Sequence, residues 1–180
     1  ATWSAQAKLD AQVSAAGANA DGRTIKYFNS TATNKLKDFT FSNLSGDSKG
    51  SYFQNFCSKV PAPEQCGTDF DDLSSTLKTA ANDGDKLVKY LRGQSTYEMQ
   101  GSDDNAANKL YCDREHVLGD IVSALPVYLK KPQFTYDKYD ITYGTFKNNN
   151  ANRAGTVFVA ANDGMLHAFN ANTTLVDGEV

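Results

Sequence analysis

Residues Thr156 to Asn170 read TVFVAANDGMLHAFN, two apolar runs on either side of Asn162-Asp163-Gly164. Asp-Gly between strand-like runs is a strong hairpin signal, because Gly supplies the positive φ that a two-residue turn requires. In the first run Val157 and Val159 point to one face, and Phe158 and Ala160 to the other,. Apolar residues on both faces predict strands covered on both sides.

A β-propeller blade, sandwiched between its neighbours, is one setting for such strands. One hairpin cannot close a propeller, and no second unit recurs at a period of 20–50 residues,. The chain is therefore expected to be a piece of a longer polypeptide. It has 180 residues, of which 40% are hydrophobic and 22% charged. That composition suits a folded chain rather than disorder. No apolar run approaches the roughly 20 residues of a membrane-spanning helix. The opening residues ATWSAQAKLD lack a basic segment followed by an apolar one, so export would require a leader that lies upstream or has been removed. Net charge is −3, with lysines and arginines scattered, which argues against nucleic acid and anionic membrane surfaces as partners.

Cys57 and Cys66 bracket the loop SKVPAPEQ. A disulfide closing this loop, stiffened by Pro61 and Pro63, is favoured over free thiols,, and metal binding is set aside because no Cys or His pair has metal-ligand spacing. Cys112 is left to be buried or to pair elsewhere.

Upstream, the spacing of Trp3, Leu9, Val13 and Ala16 predicts a helix over residues 2–16 that stops at Gly17,. Residues 23–28 read as a strand, and Phe39 and Phe41 alternate with polar neighbours. Helical spacing covers Asp69 to Ala81. Asp85 is expected to cap a helix over KLVKYLR that stops at Gly93,. Residues 94–113 are polar and read as an exposed loop. Pro126 to Leu129 reads as a strand, and Tyr139, Tyr143 and Phe146 as one helix,. The fold class is α+β, a mixed helical and loop region followed by the first antiparallel strands of an incomplete β-propeller.

His167 reads as a packed histidine with one hydrogen bond, and Asp163 as the turn former. Asp120 would buttress a turn or pair with Arg114 or Arg153, and Arg92 would pair with Glu98. No nucleophile elbow, phosphate-binding glycine loop or His-Glu-x-x-His motif is present.

Two blocks resemble the PilC/PilY-type pilus proteins, which are type IV pilus biogenesis factors and tip-associated adhesins. REHVLGDIVSALPVYL, residues 114–129, is similar to the segment that opens their C-terminal propeller, through Arg114, Leu118, Gly119, Asp120, Ile121, Val122, Pro126 and Tyr128. RAGTVFVAANDGMLHAFN, residues 153–170, is similar to the next block, with Asn162, Asp163, Gly164 and His167 matching. Trp3, Arg23 to Ile25 and Leu87 to Gly93 fit the region before the propeller.

The resemblance implies a region before the propeller over residues 1–113 and the start of the propeller over 114–180. It implies a non-enzymatic protein of pilus assembly and surface adhesion, exported to the cell surface, pilus tip, outer membrane or periplasm. Its partners would be the rest of its own chain, minor pilins or the tip complex, and a host or abiotic surface. No cofactor is expected in this segment. The family's calcium loop has no match, because Asp69, Asp71 and Asp72 lack the glycine and the downstream acid,; calcium would bind elsewhere in the intact chain. Where the family often has Arg-Gly-Asp, Gln94 follows Gly93. Residues 157–171 also resemble the repeat of quinoprotein dehydrogenase propellers, an enzymatic alternative, and a structural surface-filament component is a third reading.

Overall fold

The computed structural model describes residues 4–67, 74–100, 105 and 108–171. These form an α+β chain in two compact units. One unit is residues 10–117; the other combines residues 1–9 with 118–180.

Helix α1 (Ala5–Ala16) stops at Gly17, where φ is 84°. Trp3, expected on its apolar face, lies outside the described residues. Strand β1 (Lys26–Phe28) pairs antiparallel with β2 (Leu36–Asp38), placing Tyr27 opposite Lys37. β1 is shorter than the expected 23–28, because the Asp21 carboxylate accepts from the Arg23 N–H and folds the start of that segment into a turn,. Phe39 and Phe41 do not continue the strand. Thr40 between them caps α2 (Phe41–Gly46), accepting from the Asn43 N–H at 3.3 Å,.

Beyond α2, Asp47 gathers three donors: Lys37 at 2.6 Å, the Tyr27 hydroxyl, and the Asn29 amide. Lys37 above all, then Tyr27, lowers the Asp47 carboxyl to about 2. Burial, and then the bond to this carboxylate, pushes the Tyr27 hydroxyl up to about 12.

The Cys57–Cys66 disulfide is present. Asn82 holds the loop through three bonds, accepting from the Cys57 N–H at 2.9 Å and the Asn55 N–H at 3.0 Å and donating to Ser58 Oγ at 3.2 Å. Asn82 ends α3 (Ser75–Ala81), which Ser74 caps; the earlier part of the expected helix, residues 69–73, lies outside the described residues.

Helix α4 (Gly84–Arg92) carries Val88, which is 1% exposed and forms the core of this unit together with Leu44 at 2%. Its cap is Asp83 rather than the expected Asp85. The Asp83 carboxylate accepts from the Asp85 N–H at 3.0 Å, and Asp85 instead pairs with Lys89 one turn on. The helix starts early because Gly84 lies against the Phe41 ring, where any Cβ would overlap the ring. Gly93 ends α4 at φ 113°, as its sequence predicts,.

The expected exposed loop over 94–113 is in part buried: Gln94, Thr96 and Glu98 are each under 9% exposed. Backbone bonds between Tyr97, Met99 and Tyr111 tie this stretch together, and Thr96 Oγ1 donates to the Ala18 carbonyl at 2.7 Å. Polar side chains are tolerated inside when bonded in this way. Cys112 is an exposed free thiol.

In the other unit, β3 (Val127–Leu129), β4 (Thr156–Ala160) and β5 (Leu166–Asn170) form an antiparallel sheet in the order β3-β4-β5. Between β3 and β4 lies α5 (Ile141–Asn149), capped by Asp140, so Tyr139 falls just outside the expected helix. The hairpin β4-β5 turns through Asn162-Asp163-Gly164, a three-residue loop rather than two. Ala161 and Met165 close it at 3.1 Å, and Gly164 sits at φ 78°,. The register sets Val157 opposite Phe169 and Val159 opposite His167 on one face. Val159, His167 and Phe169 are buried. The other face carries Val127, Leu129, Phe158 and Leu166, with Leu166 70% exposed. Cover on both faces, expected from the apolar alternation, is thus absent on this side among the described residues.

Three outcomes follow. Gly84→Ala should destabilise the chain by about 1–3 kcal/mol through overlap with Phe41, read as a loss of thermal and denaturant stability. Cys57→Ser with Cys66→Ser should cost about 2–3 kcal/mol, and peptide mapping without reductant should recover the two cysteines linked. A carboxyl whose folded-state pKa is depressed contributes stability above its unfolded value and loses it below. The Asp47 contribution should therefore be complete above pH 3.8 and fade toward about pH 2. Asp47→Asn should flatten the acid limb of the stability profile in that window.

Candidate functional site

The two sequence blocks that mark this chain meet in the sheet unit. Asp163 Oδ1 accepts from the Met165 N–H at 3.0 Å, an ordinary Asx closure of the hairpin loop,. Its other oxygen, Oδ2, meets His167 Nε2 at 2.8 Å and accepts from the Gly119 N–H at 3.3 Å. The Asn162 N–H donates to the Asp120 carbonyl at 2.9 Å. Leu118-Gly119-Asp120 is thus stitched to a turn 44 residues away in sequence. A Cβ on Gly119 would lie 2.7 Å from Asp163 N and 2.8 Å from its Cβ. Gly119 is needed for this approach, and Gly164 for the turn.

His167 is 8% exposed, and its ring stacks on Phe169 with centroids 5.9 Å apart. The Asp163–His167 pair resembles the acid and base of a catalytic triad in distance alone. Both Asp163 oxygens are engaged by internal donors, so the pair acts as a clasp. The Asp120 side chain is exposed, and among the described residues Arg114 pairs with Glu98 and Arg153 donates to the Lys130 carbonyl instead. Pro126 precedes β3, where a residue without an N–H is tolerated.

In the unit of residues 10–117, two arginines surround the C-terminal end of α4. Arg92 grips Asp21 with Nε at 2.8 Å and Nη2 at 3.0 Å, and donates to the carbonyls of Phe39 and Arg23. Asp21 is 4% exposed. Arg23 returns a bond to the Arg92 carbonyl at 2.9 Å. Arg114 pairs with Glu98 at 2.7 Å, donates to the carbonyls of Tyr90 and Gln94, and lies 3.8 Å over the Tyr90 ring. The expected Arg92–Glu98 pair is therefore replaced by two crossed pairs. In the tripeptide Arg92-Gly93-Gln94, Gly93 and Gln94 are buried and Arg92 is half-buried.

The sequence does not point to Asp21 or Asp47 as partners, and it pairs Glu98 with Arg92 where the structure pairs it with Arg114. Nothing local in the sequence marks which arginine a carboxylate such as Asp21 meets. Among the described residues no cluster of three or more His, Cys, Asp or Glu side chains is arranged to hold a metal ion. Asp69, Asp71 and Asp72 lie outside those residues. Among the described residues no helix is long and apolar enough to cross a membrane.

The chain is similar to the "Type IV pilus biogenesis factor PilY1" of Pseudomonas aeruginosa strain UCBPP-PA14, 34% identical over 176 residues, or 95% of this chain. The chain belongs to the PilC/PilY-type family. The protein of the same name from strain PAK is 33% identical over 94% of the chain. A homologue from Xylella fastidiosa is 36% identical over 58% of it. The chain spans 12% of the length of the Pseudomonas relatives and 8% of the Xylella one. No protein-family model matches it, and no solved structure does.

Gly119→Ala and Asp163→Ala should each destabilise the chain by about 1–3 kcal/mol. Both break the same contact, so a double-mutant cycle should show coupling of at least about 0.5 kcal/mol. Arg92→Ala strands buried Asp21 and should cost about 3–5 kcal/mol. Lys26→Ala, which removes an exposed pair with Asp38, should cost under about 1 kcal/mol.

Proposed function

We propose that this chain is part of an exported, non-enzymatic type IV pilus-associated protein that acts in pilus assembly and surface adhesion at the pilus tip. The observation that carries this reading is the 34% identity over 95% of the chain to a protein named a type IV pilus biogenesis factor. The motif residues supply the physical side of it. Gly119, Asp163 and His167 spend their bonds on a clasp, and Arg92 and Arg114 on anchoring a helix end. Folded surfaces rather than reactive groups then carry the work, and no cofactor is assigned to this segment. The Cys57–Cys66 bridge fits an oxidising, extracytoplasmic location,.

Residues 1–113 are assigned to a region before the propeller and residues 114–180 to the start of its first blade. The antiparallel order β3-β4-β5 and its open apolar face support that assignment. The partners are then the rest of its own polypeptide, minor pilins or the tip complex, and a host or abiotic surface.

The test is location and loss. Filaments sheared from the source cells are mapped by mass spectrometry beside outer-membrane and soluble fractions, and surface pili are counted in a deletion strain. Peptides of this chain in the sheared fraction, with pili lost on deletion, are the expected result. Recovery in the soluble periplasm with a bound redox cofactor, and with pili intact, would overturn it in favour of the quinoprotein alternative.

A further inference from the structure

Between β3 and β4 the chain leaves the sheet and returns, carrying α5 on the way. Residues 130–153 hold five basic side chains, Lys130, Lys131, Lys138, Lys147 and Arg153, against Asp137 and Asp140. This excursion is positive on a chain whose net charge is −3. Lys147 lies 4.0 Å from Asp137, and Arg153 donates to the Lys130 carbonyl. Lys130, Lys131 and Lys138 are exposed and form no ion pair among the described residues.

The same excursion carries a run of touching rings. Phe134 meets Tyr136 at 5.4 Å, Tyr136 meets Tyr143 at 5.3 Å, and Tyr143 meets Phe146 at 5.7 Å. Beside them Tyr139 is 87% and Ile141 94% exposed. A set of apolar side chains already held by one another loses little freedom when something covers it.

We propose that this lysine-and-aromatic arm is a docking surface for an acidic polypeptide segment with apolar anchors. Charge selects the occupant. Lysines are almost never fully buried without a partner, so the apolar core of its own polypeptide is a poor cover. A carboxylate-bearing segment would pair with the lysines at the rim while its apolar side chains meet Tyr139 and Ile141. Stacked nucleobases need successive parallel ring faces, whereas Tyr136 and Tyr143 meet edge-on at 74° and Tyr143 and Phe146 are tilted by 40°. A net charge of −3, with basic residues otherwise scattered along the chain, disfavours a nucleic acid or an anionic bilayer, whose charge extends far beyond this arm,. The proposal deepens the pilus reading, on which it rests for where the partner is sought.

The experiment places a photo-crosslinking benzoylphenylalanine at Tyr139 or Ile141 of the full-length protein in its source cells, with crosslinked peptides read by mass spectrometry. The expected product joins this site to an acidic segment of another protein. Its yield should fall about tenfold or more in the triple variant Lys130→Glu, Lys131→Glu, Lys138→Glu. It should persist in the matching Lys→Arg variant, with protein level and the Cys57–Cys66 bridge unchanged in both. An adduct within the same polypeptide, to lipid or to nucleic acid, an adduct indifferent to charge reversal, or no adduct at all would overturn the docking surface. A charge-sensitive adduct to an acidic protein unconnected with pili would keep the surface and remove the pilus reading.

Discussion

The end of helix α4 is the point from which the unit of residues 10–117 is held. Gly93 turns the chain out of the helix in a left-handed conformation, and the two arginines flanking that exit each bind a carboxylate from a distant segment. Arg92 reaches back 71 residues to Asp21, and Arg114 reaches 16 residues to Glu98. Both also donate to backbone carbonyls, so each guanidinium meets charge and orphan acceptors together. Removing one partner leaves an unpaired charge inside, which is why such crossed pairs specify an arrangement more strongly than their net energy suggests.

The sheet unit uses a different device for the same end. One carboxylate, Asp163, closes its own turn, holds His167 and fastens the Gly119 segment. The blocks 114–129 and 153–170, which carry the family resemblance, converge here through Gly119, Asp120, Asn162 and Asp163. In this chain Gly119 serves a steric role and Asp163 a hydrogen-bonding one. The covered face of the sheet is satisfied by Val159, His167 and Phe169, while the opposite face and the aromatic arm stay open. Contiguous exposed apolar patches are where interaction surfaces are commonly found.

Burial also removes one surface from consideration. Arg92-Gly93-Gln94 is taken up by its own fold: the Arg92 guanidinium binds Asp21 and the carbonyls of Phe39 and Arg23, and Gly93 and Gln94 are buried. Among the described residues the aromatic arm, the open sheet face and the disulfide loop, where Val60 is 98% exposed, all face outward.

The sequence by itself determined what depends on neighbours in the chain: the hairpin around Asp163-Gly164, the stop of α4 at Gly93, the strand at Val127–Leu129 and the candidate bridge between Cys57 and Cys66. Each follows from a local steric or spacing rule. Only the tertiary structure decided what depends on distant partners. Asp83 displaced Asp85 as the cap because Gly84 had to meet Phe41. Residues 94–98 went inside because Thr96 and Glu98 found partners at Ala18 and Arg114. Arg92 chose Asp21 over Glu98, and Gly119 settled against Asp163. A carboxylate in a sequence announces that it needs donors, but which donors arrive is settled by how the segments pack, and that information lies in no single stretch of the chain.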